Sequence, residues 1–349
     1  MLTIDGDAKS RVLVHRGSGK LELDDLTIAN GMNDDDADPF GGCIHSDGSV
    51  MLRDSVVTGC KVAPPTAVAY GGGIDVAGTL YLYDSRLTFN EADSTYESFG
   101  GGAVVRGSLV MHRSSIDSNQ SGFSGTARGG GAEIVGTAFI FDSTISRNKS
   151  QFFGGIDLSG YGGTENAYIV NTTISSNEAT ASYGGVWTAT ALAVRNSTIA
   201  FNQANYSSDT RFVGMQTSGA PITITSSIIS NNVDDEGTMS DLGGTGAATL
   251  SAASSSNLVT SSNFVLPADT IQSCARLQPL ADYGGGLLTH LPSADSPALD
   301  SGLDGGLAAD ERGLPRLAGV MSDIGAVERQ AGDFDEQIFA SGVDDLCYQ

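Results

Sequence analysis

The sequence predicts an all-β solenoid on three observations. A unit of 25 to 30 residues recurs, apolar and polar residues alternate with period two inside it, and no 3.6-residue apolar period runs anywhere in residues 20–232. The unit reads GSVMLRDSVVTGC from Gly48, GTLYLYDSRLTFN from Gly78, GSLVMHRSSIDSN from Gly107 and GTAFIFDSTISRN from Gly136, then ENAYIVNTTISSN, TALAVRNSTIAFN and APITITSSIISNN. Its closing asparagines, Asn90, Asn119, Asn148, Asn177, Asn202 and Asn232, fall 29, 29, 29, 25 and 30 residues apart. A glycine cluster keeps step with them, at Gly41-Gly42, Gly71–Gly73, Gly100–Gly102, Gly129–Gly131, Gly154-Gly155 and Gly184-Gly185, each before a further short alternating strand. Two strands per turn, repeated at this period, predict a right-handed parallel β-helix in which each rung hydrogen-bonds to the next. Leucine-rich repeats share the length but need an LxxLxLxxN order that is absent.

Each landmark has a physical reason. The glycines permit positive φ and close backbone approach at a corner. In the following strand Leu52, Leu82, Met111, Ile140, Ile169, Val194 and Ile224 point inward, joined in the core by Val57, Leu87, Ile116, Ile145, Ile174 and Ile199. Between the two sets, Ser55, Ser85, Ser114, Ser143, Thr172, Ser197 and Ser227 form a hydroxyl ladder at a bend. The closing asparagines are expected to take the left-handed conformation and to stack as an internal amide ladder. Phe40, Tyr70, Phe99, Phe153 and Tyr183 each directly precede a glycine cluster and predict a stacking ladder at that corner.

Composition narrows the function. With 18 basic against 41 acidic residues the net charge is −23, which repels a nucleic-acid backbone and disfavours polyanionic glycans unless a divalent cation bridges them. Neutral glycans carry no such penalty. No apolar run approaches the roughly 20 residues that span a bilayer. Met1 is followed by LTIDGDAKSRVLV, with neither a basic n-region nor an apolar h-region, so an export signal is expected to have been removed. Cys43, Cys60, Cys274 and Cys347 allow three disulfide pairings or four buried thiols, and neither pair has the CxxC spacing of a zinc or redox site.

The alternation of GGG-I and GG-V blocks with LTFN, IDSN, ISRN, ISSN and IAFN over about residues 20–232 resembles the GGA(I/L/V) and FxxN repeats of polymorphic outer-membrane adhesins. It also resembles the wider group of secreted bacterial, pectin-lyase-like parallel β-helix proteins, with Leu or Ile where the adhesins have phenylalanine. Residues 277–328, with LQPLADYGGGLLTHLPSADSPALDSG, DERGLPR and DIGAVE, are similar to the C-terminal module of the choice-of-anchor Q family, and DEQIFASGVDD resembles its sorting tails. The resemblance implies an extracellular or cell-envelope location and no particular reaction. The expected organisation is a coil over residues 1–260, a module over 261–330 that caps its open end, and a sorting tail over 331–349.

Function is expected on outward faces. Tyr81, Tyr83, His112, Phe139, Phe141 and Tyr168 fall on successive rungs about 4.8 Å apart and make one aromatic stripe. Such a stripe is rarely left in water, so the C-terminal module, a partner or second copy, or a glycan stacked on the rings is expected to cover it. On the preceding strand Asp75, Val104, Glu133, Asp157 and Trp187 are read as outward. Glu133 and Asp157, on neighbouring rungs and roughly 5–6 Å apart, have the separation of a nucleophile and acid in retaining glycoside hydrolysis, with Arg106 to stabilise charge and Trp187 to hold a sugar. Asp34, Asp35, Asp36 and Asp38 form an acidic run able to offer oxygen ligands to Ca²⁺. The favoured function is an exported, adhesin-like, non-catalytic protein that binds a polysaccharide or cell-surface partner and can self-associate. The alternative is a polysaccharide-degrading enzyme, a glycoside hydrolase or lyase.

Overall fold

The computed structural model describes residues 1–122, 125–160, 166–205 and 212–334. Among these there is no helix, and every paired strand runs parallel to its neighbours in four sheets of 10, 11, 9 and 9 strands. The chain is a parallel β-solenoid. One turn shows the plan: Ile74–Val76 belongs to the first sheet, Leu80–Tyr83 to the second, Arg86–Thr88 to the third and Glu91–Ala92 to the fourth. Each strand sits in register one repeat away from its equivalent, Leu80 on Leu109 and Leu109 on Ala138 in the second sheet, Leu87 on Ile116 in the third. The predicted inward columns are wholly buried and form one continuous core.

Four short strands replace the two that alternation suggests, because left-handed residues break the chain twice more per turn. Asp54, Asp84, Arg113, Asp142, Asn171, Asn196 and Ser226 all have φ between 43° and 53° and turn the second sheet into the third. The next residue in each case belongs to the hydroxyl ladder. Ser55 N–H donates to Ser85 Oγ at 3.1 Å, Ser85 N–H to Ser114 Oγ at 3.0 Å, and the Ser85 hydroxyl reaches back to the Tyr83 carbonyl at 2.7 Å. The bend is thereby satisfied inside the coil, where water is absent.

The asparagine ladder exists, with one correction. The left-handed φ falls on the residue before each asparagine, at Phe89, Ser118, Arg147, Ser176, Phe201 and Asn231. The asparagines themselves point inward: Asn119 Nδ2 donates to Asn148 Oδ1 at 3.0 Å and to the Leu87 carbonyl at 2.9 Å, and Asn148 repeats this with Asn177 and Ile116. At the far end Asp241 accepts from Asn232 Nδ2 at 2.9 Å and closes the series with a carboxyl group. At the near end a disulfide joins Cys43 to Cys60, and Cys274 is also disulfide-bonded, so the free-thiol alternative is overturned.

Residues after 260 do more than close the open end. Phe264 and Leu266 pack against the last rung of core. The chain then returns along the outer side of the third sheet, where Ala275, Leu277, Ala298 and Ile324 bury Ala200, Ile228 and Leu258. Polar ties follow the same line: Thr144 to the Leu288 carbonyl at 2.9 Å, Ser175 to His290 at 2.7 Å and Asn196 to the Leu303 carbonyl at 2.6 Å. The route has a physical cause at the coil's far end, where the third sheet's outward Ala200, Ile228 and Leu258 are apolar and would otherwise face water. The earlier outward Thr144 and Ser175 are polar and take the ties just named. Of the sorting tail expected over residues 331–349, the part from 335 onward, with Cys347, lies outside the described residues.

Candidate functional site

The second sheet carries the aromatic stripe on its outer side. Tyr81, Tyr83, Phe139 and Phe141 are half-exposed and Tyr168 is 37% exposed, while Met51 and Val170 at the margins are buried. Register stacks the rings as the sequence predicts: Phe139 faces Tyr168 across adjacent rungs, with centroids 5.6 Å apart and planes within 4°. Tyr81 and Tyr83 lie parallel at 6.4 Å on a single rung, with the Lys20 ammonium 5.8 Å from the Tyr81 ring. His112 stands between Tyr83 and Phe141 in register, and its Nε2 meets Asp142 at 2.9 Å while Arg113 lies 2.8 Å from its Nδ1. The returning C-terminal segment borders this column across a cleft of about 410 Å³ lined by Asp84, Arg113, Asp142, Gly286 and Arg312, and leaves the rings open.

The outer side of the first sheet differs from expectation. Asp75, Val104 and Asp157 are buried, because the chain leaving the fourth sheet folds its aromatic corner over them. Phe40, Tyr70 and Phe99 stack at 5.3 and 5.4 Å, and Phe153 stacks on Tyr183 at 5.4 Å. Trp187, in register with Asp157 on the same outward column, stacks on Phe153 at 4.8 Å and is half-exposed. Under the cover Asp75 pairs with Arg106 through both oxygens at 2.7 Å and with His45 Nδ1 at 3.1 Å. Arg106 is paired to Asp75, its guanidinium lying over Phe40 and Tyr70, and it lines the same cleft as Glu133.

The two aromatic stacks do not meet. Arg128 stands where the next ring of the first stack would be, paired in register with Phe99, and its guanidinium lies 5.8 Å over Phe153. A cleft of about 510 Å³ opens at this break, lined by Tyr70, Glu97, Phe99, Val104, Arg106, Arg128, Glu133 and Val135. Its size falls in the range of about 300–1,000 Å³ usual for small-ligand sites. Glu133 forms the floor, and burial raises its carboxyl to about 7 against partial relief from Arg128 and Arg106. Asp157, its register neighbour, is pushed well above the usual range by burial and then by Glu133.

Asp157 has no exposed surface, and neither of its carboxyl oxygens has a hydrogen-bond partner. A neutral acid under these conditions cannot serve as an exposed nucleophile, so the retaining pair read from the sequence is corrected: only Glu133 reaches the cleft. The residues that sequence reasoning missed are Glu97 and Arg128. Arg128 had a visible signal, as the one residue before a triple-glycine cluster from Gly71 onward that is not aromatic.

The acidic run from Asp34 is used internally. Asp38 pairs with Arg11 at 3.1 Å and Arg16 at 2.7 Å, Asp36 accepts the Thr66 amide at 2.8 Å, and Asp35 accepts the Ala37 amide at 2.8 Å; Asp34 is exposed. Among the described residues no three His, Cys, Asp or Glu side chains are grouped to hold a metal ion, so the Ca²⁺ expectation finds no ligand set here. Also among them, no helix is long and apolar enough to cross a membrane.

Fold and surfaces together define a parallel β-solenoid with an open aromatic stripe and a separate polar cleft. No family model matches the chain, and no curated protein or solved structure matches it.

Proposed function

We propose that the chain is an exported, adhesin-like protein that holds a neutral glycan along the aromatic stripe. The observation that carries this reading is the open pairing of Phe139 with Tyr168, two parallel stacked rings on adjacent rungs left partly in water, with Tyr81 and Tyr83 two rungs away on the same face. Flat faces repeated along the coil axis suit successive sugar rings, and the phenol groups of the tyrosines supply directional hydrogen bonds at the edges. A net charge of −23 favours an uncharged ligand over a polyanion. The Cys43–Cys60 bridge supports an oxidising compartment outside the cytosol, in line with an extracellular or cell-envelope location. A cell-surface protein or a second copy of the chain on the stripe is the competing occupant.

The test is retention on insoluble neutral polysaccharides, with sedimentation run in parallel. Wild type is expected to bind at least one of them, and the double variants Tyr81→Ala/Tyr83→Ala and Phe139→Ala/Tyr168→Ala to bind about tenfold more weakly, the equivalent of ~1.4 kcal/mol. Unchanged retention in both variants, or a dimer that dissociates when the rings are removed, defeats the glycan reading.

A further inference from the structure

We infer that the cleft at the break between the two aromatic stacks hydrolyses a neutral glycan, with Glu133 as general acid and Glu97 as general base. This goes beyond binding on the stripe, and it rests on that reading only for the class of ligand.

The cleft is built by the interruption of a ladder. Where rings continue, as from Phe40 through Tyr70 to Phe99, the outer face of the first sheet is sealed, and Asp75 and Val104 are buried beneath them. Replacing the next ring by Arg128 leaves Tyr70 and Phe99 along one side of a cleft and exposes its floor at Glu133. Arg128 has no ion-pair partner among the described residues and stands at the rim, placed to bond sugar hydroxyls. Aromatic side chains, a guanidinium at the rim and a carboxyl floor together offer apolar contact and directional hydrogen bonds, which suit a hexose unit.

Two carboxyls share this space from different strands and in unequal settings. Glu97 lies on Glu97–Phe99 and is exposed, whereas Glu133 lies on Ala132–Ile134 and is mostly withdrawn from water. Such inequality divides the roles: the desolvated carboxyl keeps its proton to give, and the solvated one is free to accept. Burial supports this by holding Glu133 up to about 7. Asp157, beside Glu133 in register and wholly buried, takes no part in the cleft.

In the reaction, water attacks the anomeric carbon and gives a proton to Glu97 while the glycosidic carbon–oxygen bond breaks. Glu133 protonates the departing oxygen, and both carboxyls return to their starting states by exchange with solvent. Because Glu97 acts here as base to the attacking water and forms no bond to carbon, the displacement is single and the configuration inverts.

The experiment uses the purified chain on mixed-linkage β-glucan, xylan, galactomannan and starch, scoring new reducing ends and the first anomer formed by NMR. Cleavage of at least one polymer with inversion is expected, with the rate falling as pH rises through about 7. Glu133→Gln and Glu97→Gln should each lose about 100-fold or more in rate while retention on the same polymer stays as in wild type and, below about pH 5, so does the thermal midpoint. No reducing ends from any of the four, retained configuration, or an undiminished Glu133→Gln rate overturns the inference. Loss of hydrolysis with retention intact leaves the stripe reading standing, and loss of retention in Tyr81→Ala/Tyr83→Ala with hydrolysis intact does the reverse.

Discussion

Cys43 and Cys60 fill the two positions that a glycine and an asparagine hold in the turns that follow. Cys43 N–H bonds the Gly73 carbonyl at 3.0 Å, and Cys60 N–H bonds Asn90 Oδ1 at 3.1 Å, so the disulfide stands one rung above the contact between Gly73 and Asn90. In that lower rung a Cβ on Gly73 would come within 2.9 Å of Asn90 Cγ, which is why glycine recurs there and why a side chain at Cys43 requires a different partner opposite. The disulfide thus replaces the amide ladder at its first step.

A bridge closing a separation of 17 residues contributes about 3 kcal/mol. Cys60→Ala is therefore expected to lower the urea midpoint clearly, because it removes the bridge and leaves a void. The double variant Cys43→Gly/Cys60→Asn should recover part of the loss by extending the ladder by one rung. A double variant no more stable than Cys60→Ala would refute the equivalence of the two devices.

Mid-ladder positions should be the least replaceable. Asn148 Nδ2 donates to Asn177 Oδ1 and the Ile116 carbonyl, and its Oδ1 accepts from both the amide and the side chain of Asn119. Asn148→Ala strands buried donors above it and buried acceptors below, at about 1–3 kcal/mol each. The expected outcome is a midpoint loss several times that of an exposed control such as Lys149→Ala, measured by chemical denaturation. Comparable losses would mean that the column is incidental.

Legibility followed what is local. The period, the inward columns and the asparagine pile can be read from Asn119, Asn148 and Asn177 because side-chain direction in a strand is set by parity alone. Asp157 could not be placed that way: parity correctly turns it outward, but its burial depends on Phe153 and neighbouring rings arriving from another sheet. The return path along Ala200 and Ile228 is equally non-local, though these apolar outward positions were a signal that something would cover them. The disulfide was readable in principle, since Cys43 and Cys60 fall on the glycine and asparagine positions of the repeat.

Stability is expected to fall between pH 6.5 and pH 8.5. Burial raises Glu133 and Asp241 to about 7 and puts Asp157 and Glu311 well above the usual range. Each of these acids keeps a proton in the folded chain that the unfolded chain has already released, so its contribution is full below pH about 4 and is lost as pH rises through the folded value. For Glu133, moving from 4.5 to about 7, the whole contribution is roughly 3 kcal/mol, most of it lost below about pH 6.5 and under about 1 kcal/mol left to be lost above. Asp157 and Glu311 therefore carry the larger part of the fall. His290, lowered to about 4 by burial, works in the opposite direction, but only up to about pH 6.5. Urea midpoints at the two pH values, taken in high salt to screen the net charge, should show the fall, and Glu133→Gln should narrow it. A midpoint that rises with pH would contradict the burial of these acids.

Glu311 should decide whether the C-terminal segment stays on the coil. It is buried against Thr144 at 3.1 Å and Thr173 at 2.5 Å. The Thr144 hydroxyl has a single proton and also lies 2.9 Å from the Leu288 carbonyl, which can only accept. The proton in the Thr144–Glu311 contact must then come from the carboxyl, consistent with burial raising Glu311 well above the usual range. A neutral amide reproduces one donor and one acceptor, so Glu311→Gln is expected to leave the segment seated. Glu311→Ala strands the Thr173 hydroxyl and opens a void, and should release the segment to limited proteolysis between about residues 270 and 330 while the coil survives. Equal protease resistance in the two variants would show that the outer apolar contacts of Ile228 and Leu277 hold the segment without Glu311.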